Sequence, residues 1–350
     1  MRGKWDWILI ILILAIGAIS LLSIYSVNKN LATNQIVFWL FGLVVLSLIS
    51  QFDYQNWQKF AWSLYLVSIL TLLVLPFVGT PIRGSVRWID FGVFRFQPSE
   101  IVKITSILIL AAFYKNRTAQ NLGNFILSFL LILPAFILVL MEPDIGNSLS
   151  LIGIWLGISL AANLRFRDLL VFGLLGLILV VISYELLAPY QKQRIATFIN
   201  PNADPLGTGY NIIQSKISSG SGQFFGRGLG RGPQSQLNFL PEAQSDFIFS
   251  SISEQLGLLG AGLLLTLYFW MLNRILKIVK YADRFGQTII IGAISFFLIQ
   301  VLVNVGMNMG LLPVTGITLP LVSYGGSSLV STLFLLGIAF SILKKSKISF

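Results

Sequence analysis

Ten apolar runs divide this chain, and their number and length leave it little choice but to cross a membrane repeatedly: Trp7–Val27, Ile36–Ile49, Phe60–Val78, Ser99–Tyr114, Phe125–Met141, Leu149–Ala162, Leu169–Leu187, Phe247–Leu272, Ile289–Leu312 and Leu321–Leu343. A helix needs roughly 20 apolar residues to cross the hydrocarbon, so the shorter runs must extend into the polar residues at their ends. A chain 55% hydrophobic and only 11% charged is not one that water keeps in solution. The expectation is an all-α polytopic membrane protein of about ten transmembrane helices, one domain over 1–350, with a large extracytoplasmic loop at 188–245 between the seventh and eighth helices. The first run follows Met-Arg-Gly-Lys, is too long for a signal peptide and lacks a small-residue cleavage site, so it reads as a retained helix.

Cationic residues near helix ends tend to stay in the cytoplasm. Arg2 and Lys4, Lys59, Lys115 and Arg117, Arg165 and Arg167, the cluster Arg274, Lys277, Lys280 and Arg284, and Lys344, Lys345 and Lys347 all fall on one side of a ten-helix topology. Both termini are therefore expected in the cytoplasm. Two connections break the pattern: Arg83, Arg87 and Arg95 between the third and fourth helices, and Lys192, Arg194, Lys216, Arg227 and Arg231 in the long loop. Long loops translocate regardless of charge, but two Arg-enriched outer loops also suit an anionic ligand, phosphate being the natural partner of Arg forks.

The chain has no Cys and no His, which removes disulfides, thiolate chemistry and the commonest general base, so acid–base work must fall to a carboxylate, Lys or Tyr. In the long loop, Asn200-Pro201-Asn202-Ala203-Asp204-Pro205 is turn chemistry, and Tyr210, Ile213 and Ile217 predict a short amphipathic helix along the membrane surface. Gly220, Gly222, Gly226, Gly228, Gly230 and Gly232 follow, interleaved with Arg227 and Arg231; such a run is either an anion-binding nest or a flexible linker. It is not a Walker loop, and no nucleic-acid partner is expected.

Charges inside apolar runs need partners. Pro98 suits a first helical turn, which puts Glu100 and Lys103 three residues apart on one face as an expected ion pair. Glu142 and Asp144 flank Pro143, leaving a short acidic bend and a cation site both open. Asp246 and Glu254 are eight residues apart, the first shallow and the second buried, and Ser245-Asp246 is also ordinary capping chemistry.

The set Arg87-Trp88-Ile89, Phe96-Gln97-Pro98-Ser99-Glu100 with Lys103, Pro143-Asp144-Ile145-Gly146, Gly209-Tyr210 with Gln214-Ser215, Gln234-Ser235-Gln236-Leu237-Asn238-Phe239-Leu240-Pro241-Glu242, Asp246-Phe247-Ile248-Phe249, Pro313-Val314-Thr315-Gly316-Ile317 and Ser323-Tyr324-Gly325-Gly326-Ser327-Ser328 resembles the SEDS family (shape, elongation, division and sporulation) over essentially the whole chain. Asp6-Trp7 and the Gln234 to Glu242 string look more like the family's elongation member than its division member.

The resemblance implies a peptidoglycan glycosyltransferase of the bacterial cytoplasmic membrane, facing outward. It would polymerise lipid II onto a growing glycan chain, with a class B penicillin-binding transpeptidase and elongation-complex membrane proteins as partners. It places the catalytic carboxylate on Asp246, an important loop Trp on Trp88 and the helix-four ion pair on Glu100 and Lys103. Arg83, Arg87, Arg227, Arg231, Gln234 and Glu242 complete the expected substrate-facing set. A divalent cation such as Mg is an accompanying expectation, although the sequence shows no dedicated metal cage. The family's usual His-Thr before the Asp is replaced here by Gln244-Ser245, so that His cannot be essential in this chain. Two other classes stay open: a lipid flippase, in which the intramembrane pair and Gly- and Pro-broken helices serve alternating access, and a catalytically silent scaffold.

Overall fold

The computed structural model describes residues 5–82, 85–92, 94–183 and 189–346; Arg83 and Lys347 lie outside these, as does the end of the predicted seventh run. All ten predicted runs are helices: α1 (Trp7–Val27), α2 (Lys29–Ile49), α3 (Tyr54–Val78), α4 (Pro98–Tyr114), α5 (Leu122–Met141), α6 (Ile145–Ala161) and α7 (Phe166–Ser183) come before the long loop. The loop carries α8 (Pro189–Ile199), α9 (Tyr210–Ser221) and the four-residue α10 (Pro233–Gln236); α11 (Ile248–Val279), α12 (Arg284–Asn308) and α13 (Gly326–Lys345) follow. Among the described residues, seven of the ten, α1, α2, α3, α5, α11, α12 and α13, are long and apolar enough to cross a membrane.

Apolarity alone places several starts too late. Asn28 caps α2 by accepting from the Asn30 and Leu31 amides, Asp53 caps α3 through Gln55, and Asn121 caps α5 through Gly123. Each cap satisfies amides that the first helical turn leaves unpaired, so the helix begins among polar residues that a hydropathy reading discards. Asp144 caps α6 in the same way, which makes the Glu142–Asp144 segment an acidic bend with a structural task. The innermost helices are α4, α12 and α13, whereas α1, α2, α3 and α5 turn wide apolar faces outward.

Ten spans bring the start of α1, α3 and α12 and the ends of α11 and α13 to one end of the bundle. Contacts there confirm the arrangement: Arg274 pairs with Asp6 at 2.6 Å, Lys345 with Asp53 at 2.5 Å, and the Tyr54 hydroxyl donates to Asp283 at 2.9 Å. The long loop lies at the other end.

The chain is nearly all helical, with one small addition. The α3–α4 connection folds into a small antiparallel sheet, β1 (Thr80–Ile82), β2 (Ser85–Asp90) and β3 (Arg95–Phe96), in the order β1-β2-β3, with Thr80 opposite Trp88 and Ile89 opposite Phe96. Branched and aromatic residues in β2 favour pleated pairing, and Asp90 to Arg95 closes the second hairpin with a 3.2 Å ion pair.

A second departure is in α11, which a single apolar run disguised. Gly257 has φ 67 and ψ −165 and breaks the helix. The glycine loop fills the break: Arg227 and Gly228 amides donate to the Glu254 and Gln255 carbonyls at 2.9 and 3.0 Å, while the Leu258 and Leu259 amides donate back to Gln223 and Phe224 carbonyls at 2.9 and 3.2 Å. A Cβ on Gly257 would lie 2.3 Å from the Gly226 nitrogen, so only glycine permits the approach. The loop is thus a docked element rather than a flexible linker.

The sheet is tied to the α5–α6 turn by Arg87, whose Nε donates to the Glu142 carbonyl at 2.9 Å and whose second nitrogen donates to the Pro143 carbonyl at 2.5 Å. The Glu142 side chain is buried and neither carboxyl oxygen has a hydrogen-bond partner among the described residues. Burial, and then the neighbouring Asp144 charge, push its pKa up from 4.5 to about 8, against a smaller opposing pull from Arg87. The folded chain therefore holds a proton that the unfolded chain releases above pH 4.5. Its contribution to stability is complete below that pH and is lost as pH rises through about 8, at about 1.4 kcal/mol per pH unit. In detergent, the thermal unfolding midpoint should fall across this window, and Glu142→Gln should flatten the dependence; equal slopes for the two proteins would contradict a protonated Glu142.

Candidate functional site

At the loop end of the bundle, the turn before α11 is held by its own backbone. Three consecutive carbonyls are engaged: Gln244 accepts from the Tyr324 amide at 2.8 Å, Ser245 from the Ser323 hydroxyl at 2.6 Å, and Asp246 from both Asn304 and Asn308 Nδ2 at 3.0 Å. Asn304 Nδ2 also donates to the Ile317 carbonyl at 2.7 Å, and Asn308 Oδ1 accepts from the Ser250 amide and hydroxyl at 2.9 and 2.7 Å. Asp246 is half-buried, one residue before the N-cap, Phe247, so it is not the capping residue that its sequence context allowed. The Gly316 backbone passes beside its carboxylate; a Cβ there would lie 3.6 Å from Oδ2. Glu242 shapes the same turn, its carboxylate accepting from the Ser245 hydroxyl at 2.7 Å.

A cavity of about 550 Å³ opens two residues along the same stretch of chain, at Val314. Its walls are Ser85 and Arg87 from β2, Pro143, Gln193, Arg194 and Thr197 from α8, Thr208, and Asn211 and Ile212 from α9. Arg87 is fixed by its two backbone acceptors, and Arg194 donates to the Val314 carbonyl at 3.4 Å. Two guanidinium groups and several hydroxyl and amide side chains give this space the chemistry to receive a phosphorylated, hydroxyl-rich molecule.

Below lies a buried polar network. Lys103 Nζ donates to Glu100 Oε1 and to Asn147 Oδ1, both at 2.8 Å, and lies 5.2 Å from the centre of the Phe296 ring. The second Glu100 oxygen accepts from Ser331 at 3.1 Å; Asn147 passes the chain on to Asp144 at 2.9 Å, and Gln97 reaches the same Asp144 oxygen at 3.1 Å. The network joins α4, α6 and α13, so the expected pair is present and structurally embedded.

Other expected residues are placed differently. Trp88 is half-buried on β2, with its carbonyl accepting from Thr80, and is not part of the cavity wall. Arg227 and Arg231 are exposed and also away from the cavity; Arg227 Nε donates to the Ser221 carbonyl at 3.1 Å. Arg83 lies outside the described residues. The glycine-rich run docks on α11 through backbone carbonyls, and the anion beside it belongs to the chain and takes its donors from α9 and α10. The buried Glu254 carboxylate accepts from the Gln234 amide at 2.9 Å, the Ser235 amide and hydroxyl at 3.1 and 2.8 Å, and the Ser218 hydroxyl at 3.4 Å.

Sequence reasoning named Arg194 among the outer-loop cations but missed Gln193 and Thr197 beside it on α8, and Gln300, Asn304 and Asn308, which recur every four residues within an apolar run. That spacing was a readable signal of one buried polar face on α12. Among the described residues no group of three or more acidic side chains that could hold a metal ion is present, so the residues do not form a cation cage.

The cell cycle protein family model of FtsW, RodA and SpoVE matches residues 4–348. Stage V sporulation protein E of Bacillus subtilis is 37% identical over 362 residues, covering 98% of each chain. The peptidoglycan glycosyltransferase MrdB of Escherichia coli is 38% identical, covering 86% of this chain and 82% of its own. Among solved structures, a chain from a peptidoglycan synthase complex that coordinates polymerisation and crosslinking superposes with a TM-score of 0.86 at 30% identity, covering 98% of each chain. The rod shape determining protein RodA of Thermus thermophilus gives 0.75 at 28% identity, covering 98% of this chain and 97% of its own. With a match that runs from end to end in sequence and in fold, the chain belongs to the FtsW/RodA/SpoVE family, the SEDS family that its motifs resemble.

Proposed function

We propose that the protein is a peptidoglycan glycosyltransferase that polymerises lipid II for cell elongation, with release of polyprenyl pyrophosphate. The observation that carries the reading is one carboxylate, Asp246, fixed in a backbone-clamped turn against Gly316, two residues from Val314 in the wall of an arginine-lined cavity, although Asp246 is not itself in that wall. The relatives support it: MrdB and FtsW proteins bear the name of this activity, and FtsW of Trichlorobacter lovleyi is 34% identical over 97% of this chain. That second relative favours a division role as the alternative biological setting for the same chemistry.

In this reading Asp246 takes the proton from the acceptor's 4-hydroxyl as that oxygen attacks the anomeric carbon of the lipid-linked chain. The glycosidic bond forms as the anomeric carbon–pyrophosphate bond breaks, in one inverting displacement. Arg87 and Arg194 neutralise charge gathering on the departing pyrophosphate. Asn304 and Asn308 hold Asp246 through its carbonyl, so the base keeps its place while its carboxylate changes charge. No step is routed through a metal. The cation distribution supports an outward-facing site with both termini cytoplasmic. The synthase-complex neighbour supports a class B penicillin-binding transpeptidase as partner.

Purified protein in detergent micelles, where transport has no meaning, should convert lipid II to glycan when supplied with its partner. Asp246→Asn should lower that rate by at least about 100-fold, the scale of a lost general base. Activity within a few-fold of wild type would sink the assignment, and labelled lipid II crossing liposome bilayers with no glycan formed would establish a flippase.

Geometry also separates the cationic residues. Arg194→Glu should raise the substrate concentration needed for half-maximal rate by about tenfold or more, the cost of a lost charge-assisted contact, whereas Arg231→Glu should change it little. Equal effects would remove the cavity from substrate binding.

A further inference from the structure

The loop that fills the α11 break exposes two aromatic side chains, Phe224 at 53% and Phe225 at 79%, with rings 5.2 Å apart in an edge-to-face arrangement. An aromatic pair this exposed would be costly in water. Its neighbours are Leu258 and Leu259 of α11, also exposed, whose amides bond the carbonyls of Gln223 and Phe224. The pair therefore continues the outward apolar face of α11 that carries Leu263.

Helix geometry sets its depth. From Gly257 to Arg274 the chain rises over 17 residues of unbroken helix, about 26 Å at 1.5 Å each. Arg274 lies at the basic end of the bundle, so the break falls within a hydrocarbon core of about 30 Å, in the leaflet at the loop end, and tilt only deepens it. Irregular backbone survives at that depth only where its polar groups are paired within protein. The four reciprocal bonds across the break, with the Gly226 amide donating to Gly222 at 2.7 Å, meet this requirement. Arg227 is exposed three residues beyond Phe224 on a stem long enough to reach a phosphate head group.

We propose that 223–229 is a re-entrant segment whose Phe224 and Phe225 side chains sit among phospholipid acyl chains, with Arg227 at an anionic head group of the same leaflet. The occupant of this face is bilayer lipid. The segment thereby anchors the glycine loop to the membrane as well as to α11.

The chain contains no Cys, so single thiols can be introduced without removing others. Nitroxide labels at Phe225→Cys and, independently, Phe224→Cys would be compared in phospholipid nanodiscs with Leu263→Cys, on the outward face of α11, and Leu206→Cys, 89% exposed in the turn before α9. The measurement is accessibility to oxygen, which partitions into hydrocarbon, relative to a water-soluble nickel chelate. At 224 and 225 the ratio should lie within about twofold of that at 263 and well above that at 206, as a hydrocarbon location requires. Ratios like that of 206 at both positions would overturn the proposal. So would labels shielded from both probes, whether in the protein alone or only after a partner transpeptidase is added, because a protein surface and not lipid would then cover the face. Either variant suffices if the other fails to elute as folded protein.

Discussion

The buried Glu254 carboxylate is the interaction on which the loop end of this molecule depends. An anion removed from water needs donors, and four arrive from two places: the Gln234 amide and the Ser235 amide and hydroxyl of α10, and the Ser218 hydroxyl of α9. The same stretch of α11 gives up its own helical pairing at Gly257, and the 223–228 backbone takes over the freed carbonyls and amides. A side-chain anion and a helix break one turn apart thus bind α9, the glycine loop and α10 to one membrane helix. From α10 only a short segment leads to the Asp246 turn, which α12 and the 317–324 segment then fix from the opposite side.

Electrostatics inside the bundle follow the same rule at greater depth. Lys103 and Glu100 are both almost wholly buried, and neither relies on the other alone: Asn147, Ser331 and, through Asn147, Asp144 satisfy the remaining positions. Removing one partner would strand a charge in apolar surroundings at about 3–5 kcal/mol, whereas the intact network holds three helices in register. Glu142 is the exception beside it. It is buried without a hydrogen-bond partner among the described residues, which pushes its pKa up to about 8, and it is its backbone carbonyl that holds Arg87.

Much of this was legible in sequence because membrane helices announce themselves by apolar length, and because Glu100 and Lys103 stand at a spacing that permits a pair. What stayed hidden depended on partners distant in the chain. Gly257 looks like any helix glycine until the Gly226 loop packs against it. Arg227 and Arg231 read as ligand-binding residues by composition, yet the arginines in the cavity wall are Arg87 of β2 and Arg194 of α8. The Gly-rich run reads in sequence as either an anion nest or a flexible linker; what fixes it is its backbone pairing with the broken turn of α11, a partner distant in the chain. At the Gln244-Ser245 positions the backbone carbonyls accept from Tyr324 and Ser323, contacts any residue supplies, while the Ser245 hydroxyl also donates to Glu242.

In the proposed function, a loop locked onto Glu254 positions Asp246 for glycan synthesis. The direct measurement is the rate of polymer formation from lipid II by partnered Glu254→Gln protein, with limited proteolysis reporting release of the 222–240 segment. Loss of the carboxylate that these donors hold should free the loop and lower the rate by about tenfold or more, as a displaced reacting group does, while Asp246 remains chemically intact. A freed, protease-sensitive loop combined with wild-type polymerisation would contradict it.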